Sequence, residues 1–262
     1  MSRGRLLALL LALSPALAHP QSGRPVDLVM VRQGQSWVAY ADNRLGGPVE
    51  VELSATELTG VITDATLPLR HVLPARQRVA MLRLTAEGSG GRHALQLDAT
   101  PGAPGQVARD VVYSLPVDES RFELGQGFHG GFSHQDEANR YALDLIVAEG
   151  TPVLAARDGV VMQAISGYRE GGADRALAAR ANQIRILHED GSMALYAHLQ
   201  EAAVYVNAGD EVTLGQMIGR TGNTGFSSGP HLHFSVQVNG GMRLVSIPFR
   251  MIGPDGLLPL QH

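Results

Sequence analysis

The sequence predicts a mainly β protein built from two parts, and three observations support this fold class. Short runs of alternating or β-branched residues recur along the chain, and Gly, Pro, Asn and Asp separate them. Hydrophobic residues make up 44% of the 262 residues and charged residues 18%, a balance that provides for a hydrophobic core. Neither a sustained heptad pattern nor an internal repeat replaces these runs anywhere in the chain.

The first 18 residues differ in character from everything that follows. Arg3 and Arg5 precede an apolar run from Leu6 to Leu13, and Ala16 to Ala18 form a small-residue cleavage site. The apolar run is shorter than the roughly 20 residues that a membrane-spanning helix needs. We therefore expect residues 1–18 to be a signal peptide, with an uncleaved membrane anchor as the alternative. The protein is therefore expected to be exported, with no transmembrane segment after cleavage.

Residues 19–118 are predicted to form an immunoglobulin-like β-sandwich. The strand-like runs are, in order, VDLVMVRQG, SWVAYADN, PVEVELSAT, RVAMLRLTAEG and HALQLDAT. Short strands that recur about every 8–12 residues, with turn residues between them, are typical of such sandwiches. His71 and His93 are isolated here, and we expect them at the surface or at strand ends. This part is interpreted as a structural or binding module.

Residues 122–258 are predicted to form a second domain around an antiparallel β-sheet. Its strand-like runs are YALDLIV, TPVLAARDGVVMQA, IRILHEDG, SMALYAHLQ, QMIGRTG and HLHFSVQV. The segment from Gly167 to Asn182 is first glycine-rich and then helix-prone, which predicts a loop with one or two helical turns. The polar segment from Pro116 to Ser120 is the predicted boundary between the domains.

The composition excludes several kinds of chemistry. The chain has no cysteine and no lysine, so cysteine nucleophiles, Schiff-base lysines and the P-loop lysine are all ruled out. Its net charge is −4 and no basic stripe stands out, which argues against binding to nucleic acid. Catalysis would have to use His, Asp, Glu, Ser, Tyr or a metal ion.

Potential metal ligands cluster in the second part. His231 and His233 are two residues apart in a strand-like run, so both side chains would point to one face. An isolated histidine is usually a buried core residue, but several together favour a metal site. Catalytic zinc typically takes three protein ligands and leaves a position for water. The candidates are His129, His134, Asp144, His188, His198, His231 and His233.

One competing motif is GFSSG, from Gly225 to Gly229, which fits the G-x-S-x-G pattern of serine hydrolases. That pattern needs a helix after the serine, whereas Pro230 and a strand-like run follow here. We interpret the match as accidental and expect these glycines to shape a loop.

The region from Phe132 to Phe234 resembles the lysostaphin-type (LytM-domain) zinc metallopeptidases, which cut peptide bonds in bacterial peptidoglycan. The matching stretches are RYALDLIVAEGTPVLAARDGVV, NQIRILHEDGSMALYAHLQ and GDEVTLGQMIGRTGNTGFSSGPHLHF. The resemblance implies a zinc metalloendopeptidase with one Zn²⁺ per chain and peptidoglycan peptide stems as its substrate. Together with the signal peptide, it implies a location in the periplasm or at the cell wall. It also implies that Asp144 and His233 bind the ion and that His198 and His231 are catalytic.

The third ligand departs from the family pattern, which places a histidine four residues before the aspartate. Arg140 stands at that position and cannot bind a metal because it stays protonated. His134 is the nearest upstream histidine and our expected ligand, with His129 as the second choice. The alternative is that this ligand is lost.

Three further expectations concern neighbouring residues and the rival function. We expect a structural role for His188. Tyr196, which would share a strand face with His198, would either add a hydrogen bond to the site or be a half-buried strand residue.

The rival function is a catalytically inactive LytM-type domain that binds and activates another wall hydrolase. The retention of Asp144, His198, His231 and His233 argues against it, whereas the departure at the first ligand leaves it open. The bond that is cut and the oligomeric state are not predicted.

Overall fold

The structure is a computed structural model that describes residues 24–88, 91–118 and 122–260. The predicted signal peptide, residues 1–18, lies outside the described residues. The described chain consists almost entirely of strands and turns, which confirms the mainly β fold class. None of the described helices is long and apolar enough to cross a membrane.

Seven strands form the N-terminal part and are divided between two antiparallel sheets. Their bounds are β1 Val26–Gln33, β2 Ser36–Asn43, β3 Val49–Thr59, β4 Val61–Thr63, β5 Leu69–Leu73, β6 Arg78–Ala86 and β7 Arg92–Pro101. One sheet has the order β1-β2-β6-β4, the other β5-β3-β7, and residues of both sheets share one hydrophobic core. The five predicted runs correspond to β1, β2, β3, β6 and β7. The immunoglobulin-like arrangement of these strands stays a prediction.

The C-terminal part is organised around an eight-stranded sheet with the order β17-β12-β14-β15-β20-β10-β9 and with β21 added beside β20. A three-stranded sheet, β11-β18-β16, and a parallel pair, β13-β19, complete it together with the strands β8-β22-β23. The bounds are β8 Val112–Ser114, β9 Glu123–Gln126, β10 Leu143–Ile146, β11 Pro152–Leu154, β12 Gly159–Ile165, β13 Gly171–Gly172, β14 Gln183–Leu187, β15 Met193–Ala197, β16 Leu199–Val204, β17 Glu211–Val212, β18 Met217–Thr221, β19 Gly225–Phe226, β20 Leu232–Asn239, β21 Leu244–Ser246, β22 Arg250–Gly253 and β23 Gly256–Leu257.

The predicted loop before β14 contains one short 3₁₀ helix, Arg175–Arg180. Asp174 caps it, because its side chain accepts a hydrogen bond from the Ala176 backbone N–H at 2.9 Å. The predicted helical turns are therefore present in this loop.

The two parts are joined through buried contacts. Met162 and Met193, from β12 and β15, pack into the core of the N-terminal sheets. The Gly46 N–H donates to the Met162 carbonyl at 2.8 Å. Buried Glu50 accepts hydrogen bonds through Oε2 from the Asn239 side chain at 3.0 Å and the Met242 backbone at 2.7 Å. These contacts fasten the end of β20 to the N-terminal part.

The predicted domain limits stay a prediction. β8, which precedes the predicted boundary, pairs in parallel with β22 near the C-terminus. Tyr113 on β8 and Val117 after it both belong to the hydrophobic core of the C-terminal part. The chain therefore enters the second core before it leaves the segment assigned to the first domain.

Candidate metal centre

Strand register brings Asp144 and His233 together. On β10 and β20, Asp144 lies directly opposite His233, and on the other side of β20 Ala197 lies opposite the same histidine. Side chains directly opposite each other in an antiparallel pair have Cβ atoms about 4.5–5.5 Å apart. His233 Nδ1 accordingly lies 3.0 Å from Asp144 Oδ1. The small side chain of Ala197 leaves space above this face.

His134 reaches the same carboxylate from the loop between β9 and β10. Its Nε2 lies 3.2 Å from Asp144 Oδ1, and its ring centre is 5.2 Å from that of His233. The loop turns tightly before it, since the His134 N–H donates to the Gly130 carbonyl at 3.0 Å. One potential ligand atom from each of His134, Asp144 and His233 lies within 4.8 Å of the others, and all three residues are buried.

His129, the second choice for this ligand, lies elsewhere. Its side chain is exposed and packs edge-on against the Tyr141 ring at 5.1 Å, and its backbone is left-handed with φ of 62°. It is not a member of the three-residue group. The geometry therefore favours His134 over His129.

The donor set fits a zinc ion. Two imidazole nitrogens and a carboxylate oxygen are common zinc ligands, and three protein ligands leave a further position open. His134 Nδ1 donates to the Gly127 carbonyl at 3.0 Å, so Nε2, which faces Asp144, is the ring nitrogen that could bind a metal ion in place of a proton. The second ring nitrogen of a zinc ligand is commonly held in this way.

Asp144 remains ionised in this site. Burial opposes its charged form, but hydrogen bonds from His134 and His233 outweigh burial and hold the pKa of Asp144 well below its usual range. For His134, burial lowers the pKa, and the Asp144 carboxylate more than offsets it, so the pKa is raised. The carboxylate therefore attracts positive charge, which a metal cation would supply in place of protons.

Gln126 on β9 is a site residue that the sequence analysis missed. Its Nε2 donates to Asp144 Oδ2 at 2.7 Å, and its Oε1 accepts from the Phe132 N–H at 3.0 Å. Nε2 also lies 3.0 Å from the Ser133 hydroxyl. One side chain thus connects Asp144 with the segment that immediately precedes His134. No short-range motif marks Gln126, because its partners lie six to 18 residues further along the chain.

His198 and His231 form a second pair beside the three potential ligands. Their ring centres are 4.6 Å apart, and the His198 ring centre is 5.8 Å from that of His233. His198 Nδ1 donates to the Thr224 carbonyl at 2.7 Å, and His231 Nδ1 to the Gly229 carbonyl at 2.8 Å. His231 Nε2 is 3.7 Å from Asp144 Oδ1. In each ring, Nε2 is therefore the nitrogen that can accept a proton.

These two histidines are neutral near pH 7. Burial, together with repulsion from His231 and His233, lowers the pKa of His198 to about 3. Burial also lowers the pKa of His231, although the nearby Asp144 carboxylate opposes this effect. A neutral imidazole with a free Nε2 can accept a proton, which a protonated ring cannot.

The expectation that Tyr196 shares a face with His198 is wrong. β15 ends at Ala197, and His198 has a left-handed backbone with φ of 63°, which breaks the two-residue alternation. Tyr196 lies opposite Phe234, is fully buried, and accepts a hydrogen bond from the Ala156 N–H at 2.8 Å. It is a core residue, and the turn at His198 directs that histidine towards the site instead.

The remaining candidates have other surroundings. His188 is buried, donates through Nδ1 to the Asp158 carbonyl at 2.7 Å and packs edge-on against Tyr113. The expected structural role agrees with these contacts.

Ser227 of the G-x-S-x-G match is also buried; its hydroxyl donates to the Gly229 carbonyl at 2.8 Å and lies 3.2 Å from His231 Nδ1. A strand, not a helix, follows it, so Ser227 helps to hold His231.

A groove runs over the two groups of histidines. Its floor includes side chains of β14, β15 and β20, and its rim carries two phenylalanines. Phe132, half exposed, stacks on Phe226 with ring centres 5.3 Å apart, and the Arg175 guanidinium lies 5.4 Å from the Phe226 ring centre. The loop with His134 and the loop before His231 therefore meet at this rim.

Comparisons with known proteins agree with this geometry. Residues 138–243 match peptidase family M23. Glycyl-glycine endopeptidase ALE-1 of Staphylococcus capitis is 37% identical over 114 residues, which are 43% of this chain and 26% of that protein. DD-carboxypeptidase/endopeptidase Mpg of Neisseria meningitidis is 39% identical over 98 residues, which are 37% of this chain and 20% of that protein.

Among solved structures, the catalytic domain of lysostaphin from Staphylococcus simulans is similar at 32% identity. The match covers 45% of this chain and 81% of that domain, with a TM-score of 0.33. The matched region spans 18–26% of the length of the first curated relatives.

Proposed function

Residues 138–243 are a domain of peptidase family M23, and from this premise we propose that the protein is a zinc-dependent endopeptidase that hydrolyses peptide crosslinks of bacterial peptidoglycan. The observation that carries the proposal is the convergence of His134, Asp144 and His233 on one point, beside two neutral histidines. Relatives named as endopeptidases support it.

In this proposal His134 Nε2, Asp144 Oδ1 and His233 Nδ1 hold one zinc ion. When bound, zinc supplies Lewis acidity, which polarises a peptide carbonyl and brings the pKa of a water molecule down to about 7. Asp144 offsets part of the positive charge of the ion, and Gln126 holds the second oxygen of this carboxylate in place. The carbonyl of Gly127 keeps the His134 ring in the tautomer that binding requires.

His198 and His231 manage the proton in this mechanism. With Nδ1 tied to a backbone carbonyl, each ring presents Nε2 to the groove. One Nε2 accepts the proton of the attacking water and passes it to the leaving amine as the peptide bond breaks. The other ring, also unprotonated, would orient the attacking water by accepting a hydrogen bond from it through Nε2. No glutamate is needed as the general base.

The wall substrate requires export, which we infer from residues 1–18. Their basic start, apolar run and small-residue site would direct the protein out of the cytoplasm and then be removed.

Digestion of purified sacculi by the zinc-loaded protein tests the proposal. Soluble crosslink-derived peptides should accumulate with wild-type protein and fall to background with His198→Ala, which removes a proton acceptor but no potential ligand. Intact crosslinks after incubation with fully zinc-loaded wild type would reject the hydrolase and favour the inactive, hydrolase-activating domain. The profile of released muropeptides would identify the bond that is cut.

A further inference from the structure

A buried arginine lies in the floor of the groove. Arg185 on β14 stands opposite Leu195 on β15, which in turn stands opposite Ser235 on β20. Gln183, two residues before it, stands in the row that contains Ala197 and His233. Since residues two apart on a strand share a face, the Arg185 side chain projects from the same face as the candidate metal ligands. It lines the groove with them.

Within residues 24–88, 91–118 and 122–260, no acidic side chain pairs with the Arg185 guanidinium. Arg185 is only 5% exposed; its Nη1 donates to Oε1 of Gln237, and its Nε is buried without a partner among the residues that the structure describes. Asp144 faces the histidines and Gln126 instead. Asp136, the other groove-lining acid, accepts hydrogen bonds from the backbone and side chain of Asn139.

Half-buried Arg157, by contrast, pairs with Asp190 at 2.9 Å. Burial alone lowers the pKa of Arg185 to about 10, which leaves the side chain charged at neutral pH. A buried cation without a counter-charge is costly, and the replacement of buried ionic groups by apolar residues of similar volume is often neutral or stabilising. Arg185 is therefore arranged to receive an anion from outside the chain.

We propose that Arg185 is a recognition site for a substrate carboxylate, so that the groove selects anionic peptides. This inference rests on the proposed function and deepens it by naming the substrate class. A planar guanidinium can bind a carboxylate through two parallel hydrogen bonds, and Nε, which has no partner, is one of the donors suited to this geometry. The carboxylate would supply the charge that the chain itself does not.

The sheet geometry limits where that carboxylate lies in the substrate. Arg185 is two strands and two residues away from His233, which corresponds to about 12 Å between their Cα atoms. An extended peptide advances about 3.4 Å per residue. The recognised carboxylate therefore lies within about four residues of the scissile bond, as a side chain or as a free chain end.

Matched crosslinked peptides test this inference. The set contains one parent dimer with all carboxylates free and derivatives in which one carboxylate at a time is converted to the carboxamide. We would measure kcat/KM with zinc-loaded protein and Kd by calorimetry, for wild type, Arg185→Gln, Arg185→Met and Arg185→Lys. Arg250→Gln removes an equal charge from β22 outside the groove, where Arg250 pairs with Asp110, and serves as the control.

The expected result is a loss of about 10- to 100-fold in Kd and kcat/KM for one carboxamide derivative with wild type, as for a charge-assisted hydrogen bond. Arg185→Gln and Arg185→Met should bind the parent peptide as weakly as the carboxamide derivative. Arg185→Lys should restore part of the preference for the parent peptide, and Arg250→Gln should retain the full wild-type preference. Arg185→Met should unfold at or above the wild-type temperature, because it removes a buried charge.

Three results would overturn the inference. Equal Kd values of wild type for the parent and every derivative would leave Arg185 without a carboxylate to bind. If Arg185→Gln still preferred the parent peptide over the carboxamide derivative as strongly as wild type does, another residue would recognise the carboxylate. A lower unfolding temperature of Arg185→Met with unchanged discrimination would make Arg185 structural, for example joined through water to the buried Ser235 hydroxyl, which also has no partner among the described residues. If the wild type bound the parent peptide but did not hydrolyse it, the proposed endopeptidase function would be rejected. The Kd values of the peptides would still show whether Arg185 recognises a carboxylate.

Discussion

The Gln126 side chain donates a hydrogen bond of 2.7 Å to Oδ2 of Asp144, while Oδ1 of the same carboxylate faces His134 and His233. The two oxygens of Asp144 thus have separate roles. Oδ1 is available to a metal, and Oδ2 is held by a residue that also fixes the approach of the His134 loop. This connection compensates for the long separation between the first two ligands in sequence.

Gln126→Leu is expected to weaken zinc binding by about 10- to 100-fold, the range found when a residue that supports a metal ligand is removed. Oδ2 of Asp144 loses its hydrogen-bond donor, and the Phe132 N–H in the loop before His134 loses its acceptor, the side-chain Oε1 of Gln126. Chelator competition would measure the zinc affinity. Gln96→Leu is the matched control, because Gln96 also donates to an aspartate, Asp98, but on exposed β7. Equal zinc affinities of both variants would refute the supporting role.

His134→Ala should reduce the zinc content from about one per chain to near zero, whereas His129→Ala should leave it unchanged. His134 offers a buried Nε2 next to Asp144, and His129 is exposed against Tyr141. Elemental analysis after dialysis would count the zinc. Loss of zinc in His129→Ala alone would reverse the assignment of the two histidines.

His198→Gln should retain zinc and lower kcat by about 10²- to 10⁴-fold, as expected for the loss of a general acid or base. His198 lies beside the three potential ligands, and its Nδ1 is already bound to the Thr224 carbonyl. Steady-state hydrolysis of a crosslinked peptide would measure kcat, with His93→Gln on β7 as the control variant. A zinc-free His198→Gln protein would show that His198 is a ligand instead.

Acid should destabilise the fold through His188. Burial lowers the pKa of His188 to about 4, from 6.5 in the unfolded chain. The unfolded state therefore binds the proton first as the pH falls, and the free energy of unfolding decreases from about pH 6.5 down to about pH 4, by at most about 3 kcal/mol. His188→Phe should have a shallower pH dependence in urea unfolding between these values. An equally steep dependence in the variant would place the cause elsewhere.

The contact between the two parts predicts a stability effect of Glu50. Glu50→Ala leaves the Met242 N–H and one donor of the Asn239 amide without their acceptor, and we expect a loss of about 1–3 kcal/mol in the free energy of unfolding. Urea unfolding would measure it. Glu57→Ala, on the same strand but in an exposed ion pair with Arg92, should have a much smaller effect. Similar losses in both variants would argue against a fastened interface.

Local sequence patterns predicted much of the fold. Alternation and turn residues identify β1, β2, β3, β6, β7 and most strands of the large sheet, because these strands are long enough to show a period of two. β4 and β13 have three and two residues, too few for any period to appear. The pairing of β8 with β22 joins residues more than 130 positions apart, and no local pattern reports such a contact.

The candidate site was predictable only where a motif exists. The spacing of His231 and His233 implies a shared face, and the family resemblance indicates Asp144 and His198. The left-handed backbone at His198 was not predictable, and the assumption of an unbroken strand produced the wrong expectation for Tyr196. Gln126 and Arg185 belong to no sequence motif. Gln126 is identified by its hydrogen bonds to residues distant in sequence, and Arg185 by its place in the sheet and the lack of an acidic partner among the described residues.

Anomalous X-ray diffraction at the zinc edge, from crystals of the zinc-loaded protein, would locate the ion. We expect one strong peak, at coordination distance from His134 Nε2, Asp144 Oδ1 and His233 Nδ1. A peak whose ligands exclude His134, or the absence of a peak between Asp144 and His233, would rule out the proposed zinc site.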